Sequence, residues 1–183
     1  MKTILITGGI GSGKSEVCRR LSRIGWPVYD SDSRTKALYD SVPGLRARAE
    51  AAIGRPLREA GVIFSDPALR SALEAVVYPE VLRDFQTWRA RHADSPVCVF
   101  ESAIALEKRQ FDGLFDEVWL VLAPLEMRLE RNPRVRERLG AQQEVPASRA
   151  DRVIVNDRSL RTLQRRTDAV VAQFFRDNPK ENV

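Results

Sequence analysis

Short continuous runs of hydrophobic residues recur along the chain, separated by longer stretches in which the apolar positions are periodic. The runs are bounded by glycine, proline or charged residues and lie at 2–7, 27–29, 96–100, 117–122 and 152–155. Continuous apolar runs of this length are typical of strands that are buried on both faces of a parallel sheet. The pattern therefore predicts five β-strands.

The stretches between the runs have helical periodicity. Four apolar positions of the first predicted helix, about 13–24, share one face: Val17, Cys18, Leu21 and Ile24. Four others mark the predicted buried stripe of a C-terminal helix: Leu160, Leu163, Val170 and Phe174. Strands that alternate with helices predict an α/β fold, with a five-stranded parallel sheet and helices on both faces.

Two prolines are predicted to interrupt helices. Pro79 lies inside the longest periodic stretch, about 67–91. A proline lacks the backbone N–H and crowds the preceding turn, so we expect a kink or break there. Pro133 predicts that the helix opening at Pro124 ends near Asn132.

The charge and composition narrow the function classes. The 183 residues carry a net charge of +5, which fits a polyanionic small substrate as well as nucleic acid. Because the arginines are not interleaved with aromatic residues as in single-strand binders, we expect no nucleic-acid partner. The two cysteines, Cys18 and Cys98, occur without a CxxC or Cys/His cluster, which predicts buried free thiols.

The location of the protein is predicted from two absences in the sequence. No apolar run reaches the ~20 residues that a membrane helix needs. The apolar segment at the start of the chain is too short for a signal peptide. We therefore expect a cytoplasmic protein with no membrane partner.

One motif carries the chemistry. Gly8–Ser15 reads Gly-Gly-Ile-Gly-Ser-Gly-Lys-Ser and fits G-x-x-x-x-G-K-[ST] between a predicted strand and a predicted helix. Glycines let successive backbone N–H groups wrap a phosphate, and the helix adds the positive end of its dipole. Lys14 is expected to reach the β- and γ-phosphates of ATP, and Ser15 to bind Mg²⁺. The alternative, a glycine-rich turn with a chance Lys-Ser, is disfavoured by an eight-residue match in this context.

The residues of this motif and its C-terminal neighbour that are expected to bind the nucleotide are Gly11, Ser12, Gly13, Lys14, Ser15 and Glu16. The surrounding residues resemble the dephospho-coenzyme A kinase family. Thr7–Ser15 is similar to the opening nonapeptide of these enzymes, and Gly25–Asp32 to their G-x-P-V-x-D-A-D segment. Three further similar blocks follow in the same order, at 101–104, 123–131 and 149–157.

The resemblance implies transfer of the γ-phosphoryl group of ATP to the ribose 3′-hydroxyl of dephospho-coenzyme A, the last step of coenzyme A synthesis. It also implies a single P-loop kinase domain. The core would comprise about 1–32, 94–126 and 148–183, with a helical substrate-binding insertion at about 33–93 and a shortened lid at about 127–147. A monomer or small homo-oligomer is expected.

The resemblance assigns roles to single residues as well. Asp32 matches the second aspartate of the family's D-A-D and would accept or orient the hydroxyl proton; the alternative for Asp30 and Asp32 is a polar turn with a helix N-cap. Glu101 is expected to lie near Mg²⁺, with helix capping as its alternative. Asn156 is implied to lie near the adenine.

Five arginines cluster in the predicted lid: Arg128, Arg131, Arg134, Arg136 and Arg138. A guanidinium group can neutralise charge on a transferring phosphoryl group. Arg131 is accordingly expected to be catalytic and Arg134 to bind the nucleotide. The alternative for each arginine is a solvated basic face.

Three departures from the family's pattern keep two alternatives open. The lid is shorter than usual between Arg131 and Gln142, Tyr78-Pro79 stands where the family usually has His-Pro, and Gly54–Phe64 is shortened. The alternatives are another P-loop small-molecule kinase, acting on a nucleoside or nucleotide, and a divergent nucleotide-binding relative with little activity. The two aspartates after the second predicted strand favour a hydroxyl acceptor over a phosphate acceptor, which would prefer arginines there.

Overall fold

The computed structural model describes residues 1–58, 66–132, 135–136 and 145–179. The chain divides into two compact units, Met1–Tyr29 together with Arg91–Val183, and Asp30–Ala90. Each unit is described by itself. The single domain and the boundaries expected for its insertion and lid stay predictions. The segment 54–64 and the expected lid, 127–147, both lie partly outside the described residues.

The helices and strands follow in chain order: β1 (Lys2–Thr7), α1 (Lys14–Arg23), β2 (Val28–Asp30), α2 (Ser31–Ser41), α3 (Leu45–Ile53), α4 (Pro67–Ala90), β3 (Val97–Glu101), β4 (Glu117–Leu122), α5 (Leu125–Arg131), β5 (Arg152–Val155) and α6 (Leu160–Asp177). Each of the five strands lies within one residue of its predicted bounds at either end. The five-stranded parallel sheet predicted from the hydrophobic runs is confirmed, with the order β2-β3-β1-β4-β5.

The central position of β1 decides where its following loop lies. In the parallel pairing, Ile6 of β1 is opposite Glu101 at the end of β3 and Trp119 of β4. The loop after β1 therefore begins between the carboxyl ends of two neighbouring strands, which is the edge where ligands bind in open α/β sheets.

Alternate side chains of the strands form two buried layers. One layer joins Ile4, Ile6 and Trp119 to α1 and α6 in a single core cluster that includes Val17 and Phe174. Each fully buried large side chain of this kind stabilises the fold by about 1.5–3 kcal/mol. Burial on this face explains half of each continuous hydrophobic run.

The opposite face of the sheet is buried as well. Leu5, Phe100 and Leu120 are at most 1% exposed. The Phe100 ring centroid lies 5.4 Å from that of Phe115 and 5.7 Å from that of Phe111, which belongs to a short 3₁₀ helix. β1 and β3 read as continuous apolar runs because both of their faces are covered. The prediction of two buried faces is wrong for the edge strand β5, where Val153 and Val155 are each 38% exposed.

Two predicted core positions are wrong, and both lie at helix ends. Ile24 is 39% exposed because α1 ends at Arg23 and leaves it as the C-cap. Leu160 is 51% exposed because it is the first residue after the N-cap of α6. The buried stripe of α6 consists of Leu163, Thr167, Val171 and Phe174, with Val170 partly buried. Cys18 and Cys98 are buried free thiols, as predicted.

The second unit contains α2, α3 and α4. Of the kink or break predicted at Pro79, the break is wrong, because α4 runs unbroken for 24 residues; the kink stays a prediction. Proline removes one helical hydrogen bond, but Val77 and Val81, at 3% and 1% exposure, are buried on either side of it. An ion pair between Arg34 Nε and Asp84 Oδ2 at 2.8 Å links α2 to α4. Across the described residues, no helix combines the length and apolar character needed to cross a membrane.

Candidate active site

The loop between β1 and α1 follows a path that requires glycine at two positions. Gly8 has a φ of +141°, and an added Cβ would lie 2.2 Å from the carbonyl oxygen of Val121 on β4. Gly13 has a φ of +103°, and an added Cβ would lie 2.3 Å from Nδ2 of Asn156. Side chains are excluded at both positions, so the loop backbone lies directly against β4 and against the residue that follows β5.

Side-chain donors engage the carbonyl groups at the start of this loop. Lys14 Nζ donates to the oxygens of Gly8 and Gly9 at 3.0 and 3.3 Å. Arg128 Nε donates to the oxygen of Ile10 at 2.9 Å. These donors come from the helix behind the loop and from α5, which follows the neighbouring strand β4.

Two more donors engage the next carbonyl groups. Arg131 Nη1 lies 3.4 Å from the Gly11 oxygen, and Asn156 Nδ2 donates to the Ser12 oxygen at 2.8 Å. Every carbonyl from 8 to 12 thus accepts a side-chain donor. The C=O and N–H of a trans peptide point in opposite directions, so the N–H groups of Gly11 and Gly13 point away from these donors. Neither group donates to another described residue.

The two arginines reach the loop because α5 presents them together. They are three residues apart and share one helix face. Pro124 is the N-cap of α5 and Asn132 its C-cap, so the end predicted from Pro133 is confirmed. The sequence predicted phosphate contacts for the arginine cluster but not the contacts of Arg128 and Arg131 with the loop carbonyls. The three-residue spacing of Arg128 and Arg131 directly after β4 was the available signal.

Ser15 and Glu101 meet at the carboxyl ends of β1 and β3. Ser15 Oγ donates to Glu101 Oε1 at 3.0 Å. A hydroxyl and a carboxylate oxygen are ligands that suit Mg²⁺, which in kinases is otherwise bound by water and substrate phosphates. Among the described residues, no group of three or more His, Cys, Asp or Glu could hold a metal. The pair fits a magnesium ion that arrives with a nucleotide.

Two hydroxyl groups beside the loop are buried without a hydrogen-bond partner among the described residues, Thr7 Oγ1 and Ser12 Oγ. Ser12 is 1% exposed. An unsatisfied buried polar group costs about 1–3 kcal/mol and is rare in folded proteins. The one at Ser12 lies within the predicted nucleotide-binding segment and fits a site that is completed by a polar ligand.

The Asn156 side chain is buried against the loop between β1 and α1. It is 6% exposed and contacts the loop through Nδ2 and Arg131 through Oδ1. Its role near adenine stays a prediction. Beside it, a hydrogen bond from the Arg166 guanidinium lowers the pKa of Asp157 below its usual value.

The remaining predicted residues have other surroundings. Glu16 forms an ion pair with Arg19 one turn along α1. In the second unit, Asp30 caps α2 by accepting the Ser33 N–H at 3.0 Å, as the capping alternative proposed for it. Asp32 is exposed in the first turn of α2. Arg134 lies outside the described residues, so its predicted role stays open.

Comparison with known proteins indicates the family to which this chain is similar. The dephospho-CoA kinase family model matches residues 2–162. A Porphyromonas gingivalis protein named dephospho-CoA kinase is 45% identical over 140 residues, which cover 72% of this chain and 68% of the relative. A Thermus thermophilus protein of the same name is 37% identical over 184 residues, covering 92% and 90%. A crystal structure from Thermus thermophilus has 36% identity and a TM-score of 0.76, covering 94% of this chain and 97% of that chain.

Proposed function

This chain belongs to the dephospho-CoA kinase family, and from that premise we propose that it phosphorylates the 3′-hydroxyl of dephospho-CoA with ATP to form CoA. It is an ATP-dependent phosphotransferase, as the sequence predicted. The observation that best supports the proposed reaction is the loop Gly8–Ser15. Its first five carbonyls are engaged by side chains, while the N–H groups of Gly11 and Gly13 donate to no other described residue.

Lys14 and Arg131 are the cations we assign to the phosphates. Lys14 Nζ contacts two loop carbonyls, and it would exchange these neutral acceptors for charged phosphate oxygens, which form stronger hydrogen bonds. Arg131 lies at the same loop through its contact with Gly11. Phosphoryl transfer depends mainly on positioning and on stabilising the charge of the transferring group. Arg134 is proposed for the same task from the sequence alone.

Ser15 and Glu101 are the residues we assign to Mg²⁺. The hydroxyl of Ser15 would bind the ion directly, and Glu101, at 3.0 Å from that hydroxyl, would orient it or join it as a ligand. The ion supplies charge neutralisation of the phosphates when it is bound. Both residues lie at the edge of the sheet where the loop begins.

Asp32 is the group we assign to the acceptor proton. The reaction forms a bond from the acceptor 3′-oxygen to the γ-phosphorus and breaks the bond from that phosphorus to the β,γ-bridging oxygen. The hydroxyl proton passes to the Asp32 carboxylate, and ADP leaves. Because the transition state is loose, orienting the hydroxyl contributes at least as much as removing its proton.

A coupled assay of ADP release tests the proposed reaction. With dephospho-CoA as acceptor we expect acceptor-dependent turnover and a product phosphorylated at the ribose 3′-position. Turnover only with nucleosides or nucleotides would assign the chain to another acceptor. Binding of ATP without turnover on any acceptor would identify a nucleotide-binding relative with little activity, for which Tyr78 and the shortened lid are the motivating features.

Replacement of Asp32 tests the proton acceptor. We expect Asp32→Asn to lower kcat at least ~100-fold, the low end of general-base effects, with little change in ATP affinity. Asp40→Asn is the matched control, because Asp40 is an exposed aspartate of the same helix whose partner is Arg46. Near-normal turnover of Asp32→Asn would remove this residue from the mechanism.

A further inference from the structure

Asn156 is fixed between a neighbouring strand and the phosphate-binding loop. Its backbone N–H donates to the Leu122 oxygen at the end of β4 at 2.6 Å. Its side-chain Nδ2 donates to the Ser12 oxygen at 2.8 Å and occupies the space beside Gly13, 2.3 Å from where a Cβ would stand. With only 6% exposure, this side chain contacts the loop at the bend that leads into α1.

The same amide links the loop to α5. Asn156 Oδ1 lies 3.5 Å from Arg131 Nη2, and the other terminal nitrogen of Arg131 lies 3.4 Å from the Gly11 oxygen. A continuous set of contacts therefore connects the Ser12 carbonyl, the amide, the guanidinium and the Gly11 carbonyl. Both polar atoms of the Asn156 side chain are engaged by the protein itself.

We propose that Asn156 is a positioning residue for triphosphate binding, which acts through the peptide between Ser12 and Gly13. Because the two polar groups of a trans peptide point in opposite directions, the bond that holds the Ser12 carbonyl orients the Gly13 N–H towards the other side of the loop. Loss of this bond lets the peptide rotate. The fraction of molecules with a binding-competent loop falls, and the apparent affinity for ATP falls with it.

This proposal rests on the proposed function only in that the loop binds ATP. It does not depend on the acceptor. It also differs from a contact with adenine, because the expected effect falls on the phosphates and so should be the same for ATP and for GTP.

Titration calorimetry with ATP, GTP and inorganic triphosphate, each with Mg²⁺, tests the proposal in the full chain. Asn156→Ala and Asn156→Asp are expected to weaken binding of all three on the order of tenfold, the effect of one lost buried hydrogen bond. Asp has the shape of Asn and keeps an oxygen for Arg131, but at neutral pH it has no donor for the Ser12 carbonyl. In turnover, KM for ATP should rise more than kcat falls.

Asn178→Ala is the matched control, since it removes an asparagine amide near the far end of α6. That amide donates to Glu117 and to the Phe174 oxygen. We expect lower thermal stability and unchanged ATP affinity. Equal weakening of ATP binding by Asn178→Ala would overturn the proposal, because the effect would then follow stability. Wild-type affinity in Asn156→Asp, or a loss with ATP that is absent with inorganic triphosphate, would overturn it as well.

A second measurement covers the case in which Asn156→Ala does not fold. Arg131 is exposed, and Arg131→Ala should weaken binding less in an Asn156→Asp background than in the wild type, because the two side chains act as one unit. Additive effects would overturn the link to α5. If the wild type shows no turnover with dephospho-CoA while the Asn156 variants still bind ATP more weakly than the wild type, only the proposed reaction is refuted and the role of Asn156 stands.

Discussion

Both ends of the parallel sheet carry polar side chains, but their contacts differ. At the amino ends of the strands, charged groups contact each other. Arg152 donates to Glu117 at 2.8 Å and to Asp177 at 2.9 Å, and the side chains of Arg152 and Glu117 are only 11% and 13% exposed. At the carboxyl ends, Lys14 and Arg128 donate instead to backbone carbonyls of the loop.

This difference in contacts distinguishes side chains that stabilise the fold from side chains that position the backbone of a ligand site. Removing one partner from an ion network that is satisfied within the protein destabilises the fold, and the groups of such a network have little left to offer a ligand. Side chains that engage loop carbonyls orient the backbone of a site, and a cation that contacts neutral oxygens gains by moving to a phosphate. Polar character alone thus does not distinguish the two edges of the sheet; the loop carbonyls that accept from Lys14 and Arg128 do.

The largest expected effect comes from the two lysines at opposite ends of β1 and its loop. We expect Lys14→Ala to lower kcat/KM by about 10²–10³-fold, the usual effect of removing one group that stabilises transition-state charge, with little change in melting temperature. Lys2→Ala is its control, because Lys2 contacts Asn178 and lies 6.0 Å from the Phe174 ring centroid. That variant should lose stability and keep its activity, as measured by steady-state kinetics and thermal unfolding. Equal loss of activity in both variants would contradict the separation of the two ends.

The second largest expected effect concerns two glutamates, Glu117 at the amino ends of the strands and Glu101 at the carboxyl ends. Glu117→Gln removes the charge that pairs with Arg152, and hydrogen bonds to charged groups contribute about 1.5–3 kcal/mol. We expect the free energy of unfolding in urea to fall by that amount, while the folded enzyme keeps its kcat. Glu101→Gln should show the reverse, with little change in stability and a higher Mg²⁺ concentration for half-maximal activity. The separation fails if Glu101→Gln destabilises the protein as much as Glu117→Gln does.

The sequence predicted what is local or periodic. The strands follow from apolar runs, and the loop Gly8–Ser15, which we propose binds phosphate, follows from eight consecutive residues whose types are set by a tight backbone path. The core positions that failed, Ile24 and Leu160, lie at helix ends, where periodicity continues past the last turn that contacts the core. The break at Pro79 failed because burial of Val77 and Val81 outweighs the lost hydrogen bond.

The contacts that complete the site depend on strand order, which the hydrophobic pattern does not contain. Asn156 reaches Ser12 from 144 residues away, and Arg128 reaches Ile10 from 118 residues away. Both contacts arise because β4 lies beside β1, and β5 beside β4. The family resemblance implied a place near the adenine for Asn156, and the arginine cluster that includes Arg128 was expected to contact phosphate. Only the structure shows that they also hold the loop.

The smallest expected effect is the pH dependence of the ion network at the amino ends. Burial acts to raise the pKa of Glu117, but hydrogen bonds from Arg152 and Trp119 outweigh it, so the pKa lies below the ordinary glutamate value of 4.5. A carboxylate with a lowered pKa contributes stability that is fully present above the pKa of the unfolded state and is lost as the pH falls through the pKa of the folded state.

The difference in unfolding free energy between the wild type and Glu117→Gln should therefore be constant from neutral pH down to about 5 and narrow at lower pH. Urea unfolding at a series of pH values measures this difference. If the difference stayed constant or widened in acid, Arg152 would not be stabilising Glu117 as a carboxylate. The ion pair between Arg152 and Glu117 would then not account for the stability attributed to this end of the sheet.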